Sequence, residues 1–173
     1  MKIAYPKRVF VTSDLHLDKN TPLENEQIFS GWYEKVSDND FVFILGDVCQ
    51  NYKKFKHTFK QLPGNIILVK GNHDHFNNSH IFDIGIEMYE TEAVLLHYSH
   101  PNKKYNIILS HKPLPPKMLK MFAKHIDLVL HGHNHRQKKL VKKINGTFYV
   151  DVIAKKWDYW VLEINDIIRK VIG

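Results

Sequence analysis

Short apolar runs that break off at acidic and histidine residues recur along this chain. Arg8 to Thr12, with Val9, Phe10 and Val11 in a row, is the first; Phe41 to Leu45 and Ile66 to Val69 follow. Unbroken apolar runs this short fit strands covered on both faces. Between them the period lengthens. Ile28, Trp32 and Val36 recur at helical spacing and Thr21-Pro22 supplies a start signal, which predicts a helix over residues 22 to 36. Asp38-Asn39-Asp40 is a turn. Tyr52 to Leu62 reads as a basic helix with Phe55, Phe59 and Leu62 on one face, ended by Pro63-Gly64-Asn65. The β-α-β-α-β order predicts a largely parallel sheet with crossover helices.

The second half is patterned differently. Ile86 to Tyr89 and Ala93 to Tyr98, joined by a Glu-Thr-Glu turn, precede Tyr105 to Leu109, and the three read as an antiparallel meander. Pro115-Pro116 starts a helix through about Lys124, with Met118, Leu119 and Phe122 on its apolar side. Asp127 to Leu130 is a buried strand. Leu140 to Ile144 and Thr147 to Val152 form a hairpin around Asn145-Gly146, and Tyr159 to Ile164 is a closing strand. No repeat or linker interrupts the pattern. A single domain over residues 1–173 is expected, with two sheets packed together and flanked by helices.

Composition narrows this further. A chain of 173 residues, 43% hydrophobic, can bury a sizeable core. No apolar run approaches the ~20 residues of a membrane span. Met1 to Pro6 lacks the apolar segment of a secretory signal, and Cys49, the one cysteine, excludes an internal disulfide and fits a reducing compartment. A cytoplasmic location is expected. The formal charge of +7 comes from lysines scattered in pairs such as Lys53-Lys54 and Lys142-Lys143, with no long basic arm. That is a solvated surface rather than a track for long nucleic acid.

The residues that end the apolar runs carry the chemistry. They form five motifs: Asp14-Leu15-His16, Gly46-Asp47, Gly71-Asn72-His73-Asp74, Ser110-His111 and Gly132-His133-Asn134-His135. Ligand sites gather outside the carboxyl ends of strands in open α/β sheets, so these segments can meet at one edge. In an extended segment Asp14 and His16 would point the same way and ligate one ion, and His133 and His135 repeat that spacing. Asp47, alone after a glycine, suits a carboxylate shared by two cations. Asn72 offers an amide oxygen and His111 another imidazole. Mixed oxygen and nitrogen ligands suit Mn, Fe, Zn, Co or Ni better than Mg or Ca. Each motif alone is weak, since Asp-x-His, Gly-Asp and Gly-Asn-His-Asp all occur as ordinary caps and turns. Their joint occurrence in order at strand ends is the signal. His75 follows closely enough to line the mouth of such a site, and His131 adjoins the last motif.

The ordered set, from Asp14 to His135, resembles the calcineurin-like metallophosphoesterase superfamily, whose pattern is D-x-H, G-D, G-N-H-[DE], H, G-H-x-H. The resemblance implies an α/β, four-layer α/β/β/α sandwich of two mixed sheets. It implies that Asp14, His16 and His135 hold one divalent metal ion, that Asn72, His111 and His133 hold a second, and that Asp47 bridges them. Manganese is the first expectation for both ions. His73 would be the catalytic histidine near the leaving group, and Asp74 would orient its imidazole. The activity implied is hydrolysis of a small phosphodiester or phosphomonoester, a nucleotide among them, by a hydroxide bridging the two metals. Asp151-Val152-Ile153 and Trp157-Asp158-Tyr159 resemble the tail of small uncapped bacterial and phage members, although Trp160-Val161 follows here without a proline. For Trp157 and Tyr159 packing is the favoured role, and for Arg136, beside His135, solvent exposure.

Three other readings are weaker. Protein phosphatases of the superfamily carry G-D-x-x-D-R-G and G-N-H-E, whereas this chain has Gly46-Asp47-Val48-Cys49-Gln50-Asn51-Tyr52 and Asp74. Its repair nucleases are much longer. Its non-catalytic scaffolds, like the retromer subunit, lose catalytic histidines that this chain keeps. Small members often pair, so a homodimer is an expectation. The segments around the metal edge, residues 17 to 22, 75 to 83, 99 to 104 and 112 to 117, are short and predict an open site.

Overall fold

The structure, a computed structural model, describes residues 1–4, 7–89 and 91–173. In chain order its strands are β1 (Lys2–Ala4), β2 (Val9–Thr12), β3 (Phe41–Ile44), β4 (Asn65–Val69), β5 (Glu87–Tyr89), β6 (Ala93–His100), β7 (Lys103–Ser110), β8 (Leu128–His131), β9 (Val141–Ile144), β10 (Thr147–Asp151) and β11 (Leu162–Glu163). Its helices are α1 (Pro22–Lys35), α2 (Tyr52–Gln61), α3 (Asn78–Ile81), α4 (Pro116–Leu119) and α5 (Ile164–Val171).

Two mixed sheets result, in the orders β11-β2-β3-β4-β5 and β1-β6-β7-β8-β10-β9. The crossover order fixes β2, β3, β4 and β5 as parallel, and β11 adds antiparallel to β2. Alternation along β2, β3 and β4 divides their side chains between two cores. Phe10, Val42, Ile44, Ile66 and Leu68 pack beneath α1 and α2, against Ile28, Trp32, Phe55 and Phe59. Val9, Val11, Phe43, Leu45, Ile67 and Val69 face the other sheet, against Leu96, Ile107, Leu109, Leu128 and Val150. The outer face of that second sheet, with Ile108, Val129 and Tyr149, is covered by Leu114, Leu119 and Ile126 around α4. The layers are therefore helix, sheet, sheet and a thin helical cover.

Local chemistry fits these elements. Thr21 and Glu24 form a capping box at the start of α1, with Thr21 Oγ1 accepting from Glu24 N and Glu24 Oε2 accepting from Thr21 N at 2.8 Å. Trp32 is wholly buried, and its Nε1 donates to Pro63 O at 3.0 Å. Truncating it to alanine costs about 3–5 kcal/mol. Asn145 and Gly146 both adopt positive φ in the β9–β10 turn, as an Asn-Gly hairpin requires.

Three expectations need correction. β5 is not part of a meander: it pairs parallel with β4 in the first sheet, while β6 and β7 form a hairpin in the second. Glu90, in the expected turn between them, lies outside the described residues, as do Tyr5 and Pro6 near the N-terminus. The helix expected from Pro115 to Lys124 is one turn, Pro116–Leu119, followed by tight turns that let Leu114 and Leu119 both reach the sheet. The closing strand is only Leu162–Glu163; Ile164 begins α5, whose Ile164, Ile167 and Ile168 plug the core between the sheets. β1, which pairs parallel with β6, had no sequence counterpart. Among the described residues no helix is long and apolar enough to cross a membrane.

Candidate metal centre

Strand register brings the five motifs together. Thr12 and Ile44 are paired, as are Ile44 and Leu68, so β2, β3 and β4 end level and release Asp14, Asp47 and Asn72 at one edge. Ser110, His131 and Asp151 end β7, β8 and β10 in the same way. Backbone hydrogen bonds then lace the loops: Asp14 N to Gly46 O at 3.0 Å, His16 N to Asp47 O at 3.0 Å, Gly132 N to His111 O at 2.9 Å and Ala154 N to Ser13 O at 2.9 Å.

The loops are not extended. Asp14, His16, Asp47 and His133 have φ of 54°, 44°, 56° and 68°. For a non-glycine residue this region costs roughly 1–2 kcal/mol. The simple alternation expected for Asp14 and His16 therefore does not operate; left-handed turns aim both inward instead. Such close backbone approach also needs glycine. A Cβ on Gly46, itself at φ +80°, would lie 2.6 Å from Gly71 Cα and 2.7 Å from His111 Nδ1. A Cβ on Gly132 would collide with the Ser13 and Asp14 side chains.

Two ligand clusters form, each with all donor atoms within 4.8 Å of one another. Asp14, His16 and His135 make one, and Asp47, His111 and His133 the other. His133 and His135 thus serve different clusters, contrary to the reading that their spacing aims both at one ion. Asp47 Oδ2 stands between the clusters, 3.8 Å from His16 Nε2 and 3.5 Å from His111 Nε2. Asn72 Oδ1 lies 3.0 Å from His111 Nε2.

The donor chemistry fits cations. His111 Nδ1 lies 2.8 Å from Leu45 O, so it carries the proton and Nε2 presents a lone pair. That lone pair faces Asn72 Oδ1, His133 Nδ1 at 3.2 Å and Asp47 Oδ2. Asp14 Oδ1 is buried and accepts no hydrogen bond, although His135 Nε2 is 3.0 Å away. His16 Nε2 and His135 Nε2 face each other at 3.2 Å. Lone pairs converging in this way are stable around a positive ion. Burial lowers the His133 pKa, as does the Lys112 charge, which favours the neutral, ligating form of the ring. Burial works against charge on Asp14, but the nearby His16 imidazole and hydrogen bonds from Ser13 Oγ and the His133 N–H hold its carboxyl below the usual range.

Asp74 is 2% exposed, and its carboxylate accepts backbone N–H bonds from Asp47 at 2.9 Å, Val48 at 2.8 Å and Gly71 at 2.8 Å. Burial raises its pKa, against the pull of those three amides. These bonds tie the second and third loops together. His73 is half-buried, with its ring centroid 5.8 Å from His16 and 6.5 Å from His75. Its N–H donates to Asp47 Oδ1 at 2.8 Å, which fixes that carboxylate. Arg136 is exposed, and His131 is buried against Tyr149 behind the site.

One supporting residue had no usable signal. Lys156, read as half of a surface lysine pair, donates to Asp151 Oδ2 at 2.6 Å, Asn134 O at 2.7 Å and Gln137 O at 2.9 Å. It pins the turn that carries His133 and His135. Trp157 Nε1 donates to Asp151 O at 2.7 Å and Tyr159 OH to Glu24 Oε1 at 2.6 Å, so the tail does pack as expected.

An uncharacterized protein of Methanocaldococcus jannaschii is 24% identical over 144 residues, which cover 75% of this chain and 70% of that one. A protein of unknown function from Aquifex aeolicus has a solved structure similar to this one. It is 21% identical with a TM-score of 0.71, over 98% of this chain and 100% of that one. An archaeal phosphodiesterase shares the fold at a TM-score of 0.55 and 18% identity, over 83% of this chain and 82% of its own. The calcineurin-like phosphoesterase superfamily domain matches residues 8–152, a span that holds both clusters, and the chain belongs to that superfamily.

Proposed function

We propose that this chain is a metal-dependent phosphoesterase that hydrolyses a small phosphodiester or phosphomonoester at a centre of two divalent cations, manganese first among them. The observation that carries this reading is the position of Asp47 Oδ2, within 4 Å of a ligand nitrogen in each cluster. Asp14, His16 and His135 would hold one ion, Asn72, His111 and His133 the other, and Asp47 both. Two cations held there would lower the pKa of a bound water so that hydroxide, the nucleophile, is available at neutral pH, and would offset charge on the phosphoryl oxygens.

The chain's own groups do the rest. His73 stands at the edge of the first cluster, beside His16, where it donates a proton to the departing oxygen. Its backbone bond to Asp47 Oδ1 leaves Oδ2 for the cations. Asp74 holds the Asp47 and Gly71 loops at fixed spacing, and Lys156 holds the His133–His135 turn. Preorganised ligands of this kind need no rearrangement as charge develops.

Purified protein with added manganese is expected to hydrolyse bis-p-nitrophenyl phosphate or p-nitrophenyl phosphate. Inactivity with every divalent metal would sink the reading. His73→Ala is expected to spare metal binding and slow turnover, most for poor leaving groups. Equal slowing across leaving groups would remove His73 from proton transfer.

A further inference from the structure

A cavity of about 620 Å³ opens beside the second cluster; His111 belongs to both, and Asn72, whose Oδ1 lies 3.0 Å from His111 Nε2, lines the cavity. Pockets of ~300–1,000 Å³ are the size that takes small organic ligands. Its floor is apolar, built from Leu114, Pro115 and Met118, the segment just after His111. That floor is anchored to the second sheet. Leu114 and Leu119 are buried in the core on the outer face of the second sheet, and Tyr149 OH donates to Leu114 O at 3.0 Å. The rim is polar and carries both charges: Lys70 and Lys112 are cations, and Thr91 and Glu92 offer acceptors.

The lining selects among phosphate esters. A hydroxyl-rich sugar would find few partners on Leu114, Pro115 and Met118. A simple acyl chain would leave the polar rim desolvated without reward. A flat heteroaromatic ring satisfies both parts, with its faces on proline and the methionine sulfur and its polar edge toward Lys112, Thr91 and Glu92. A second cavity of about 380 Å³, lined by His75, Phe76 and Asn77, shares Lys70, Gly71 and Asn72 with the first. A phosphate at Asn72 therefore adjoins both cavities.

Resting on the phosphoesterase reading above, we propose that the larger cavity binds the nucleoside part of a nucleotide phosphodiester, and that Met118 and Leu114 set specificity. The test compares two esters with one leaving group, thymidine 5′-(p-nitrophenyl phosphate) and methyl p-nitrophenyl phosphate, on wild type and Met118→Trp. Wild type is expected to prefer the thymidine ester at least tenfold in kcat/KM. Met118→Trp, which fills the cavity, is expected to abolish that preference by lowering kcat/KM for the thymidine ester more than for the methyl ester. Equal use of both esters by wild type, an equal loss on both in the variant, or a preference for an octyl ester over the thymidine ester would overturn the assignment. If neither ester turns over, the hydrolytic reading fails, and calorimetric binding with manganese decides the cavity alone. Thymidine 5′-monophosphate bound more tightly than ribose 5-phosphate, with the difference lost in Met118→Trp, supports it, and equal affinities refute it.

Discussion

The edge formed by β2, β3 and β4 and the turn from Gly132 to Gln137 supply ligands to the same two clusters, yet they are held by different means. Asp14, Asp47 and Asn72 leave strands in register, and their loops are bonded backbone to backbone, with Asp74 tying two of them together. His133 and His135 sit on an exposed turn. Beyond one backbone bond, from Gly132 N to His111 O, side chains hold it: Asp14 accepts the His133 N–H at 2.9 Å, and Lys156 donates to two of its carbonyls. Backbone lacing follows from strand order. Side-chain clamps depend on single residues, so the two halves should respond differently to substitution.

The largest effect is expected at the point where the halves meet. Asp47→Asn keeps the acceptor for His73 N–H and removes the shared charge. Manganese affinity should fall at both clusters, and kcat should drop by about 10²–10³-fold or more. Undiminished turnover would refute a bridging role.

Gly132→Ala strikes the contact between the halves, because the added methyl meets Ser13 and Asp14. Overpacking of this sort costs about 1–3 kcal/mol, read as a lower denaturant midpoint, with loss of the ion at Asp14. An unchanged midpoint would mean that the 132–137 turn can shift freely.

Lys156→Ala tests the clamp alone. Supporting contacts of this kind are worth about 10–100-fold in metal affinity. Calorimetry should find manganese binding weakened by that factor, with the helices intact by circular dichroism. Affinity equal to wild type would show that Asp14 suffices to hold the turn.

The smallest effect lies further out. Glu24 accepts from Lys155 and Tyr159 and so fastens α1 to the tail that carries Lys156. The Lys155 and Tyr159 hydrogen bonds lower its pKa from 4.5 to about 2. A depressed carboxylate stabilises the fold fully above its unfolded pKa and loses that contribution as pH falls through the folded one. The difference in melting temperature between wild type and Glu24→Gln should be constant above pH 4.5 and shrink as pH approaches 2. A difference independent of pH would assign the staple to packing rather than charge.

The same contrast explains what could be read from the sequence. The residues of both clusters stand out in the sequence because each lies near the end of an apolar run, and these runs are strands whose ends converge. The partition of His133 and His135 between clusters followed from the family pattern, while their spacing alone pointed the wrong way, since local φ values are not encoded by residue spacing. The destination of Asp74 was hidden because it depends on which amides the folded loops present. Lys156 gave no signal, since a paired lysine in a loop is ordinarily solvated. α5 was misread because Tyr159 to Ile164 is a short apolar run that fits either element, although Ile164, Ile167 and Ile168 already carried helical spacing.

Manganese titration of metal-free protein by calorimetry, with elemental analysis and phosphodiester turnover on the same sample, tests the central claim most directly. The account predicts two ions per active chain in wild type, and weakened binding of both in Asp47→Asn. Full activity with one ion or fewer per chain would contradict it.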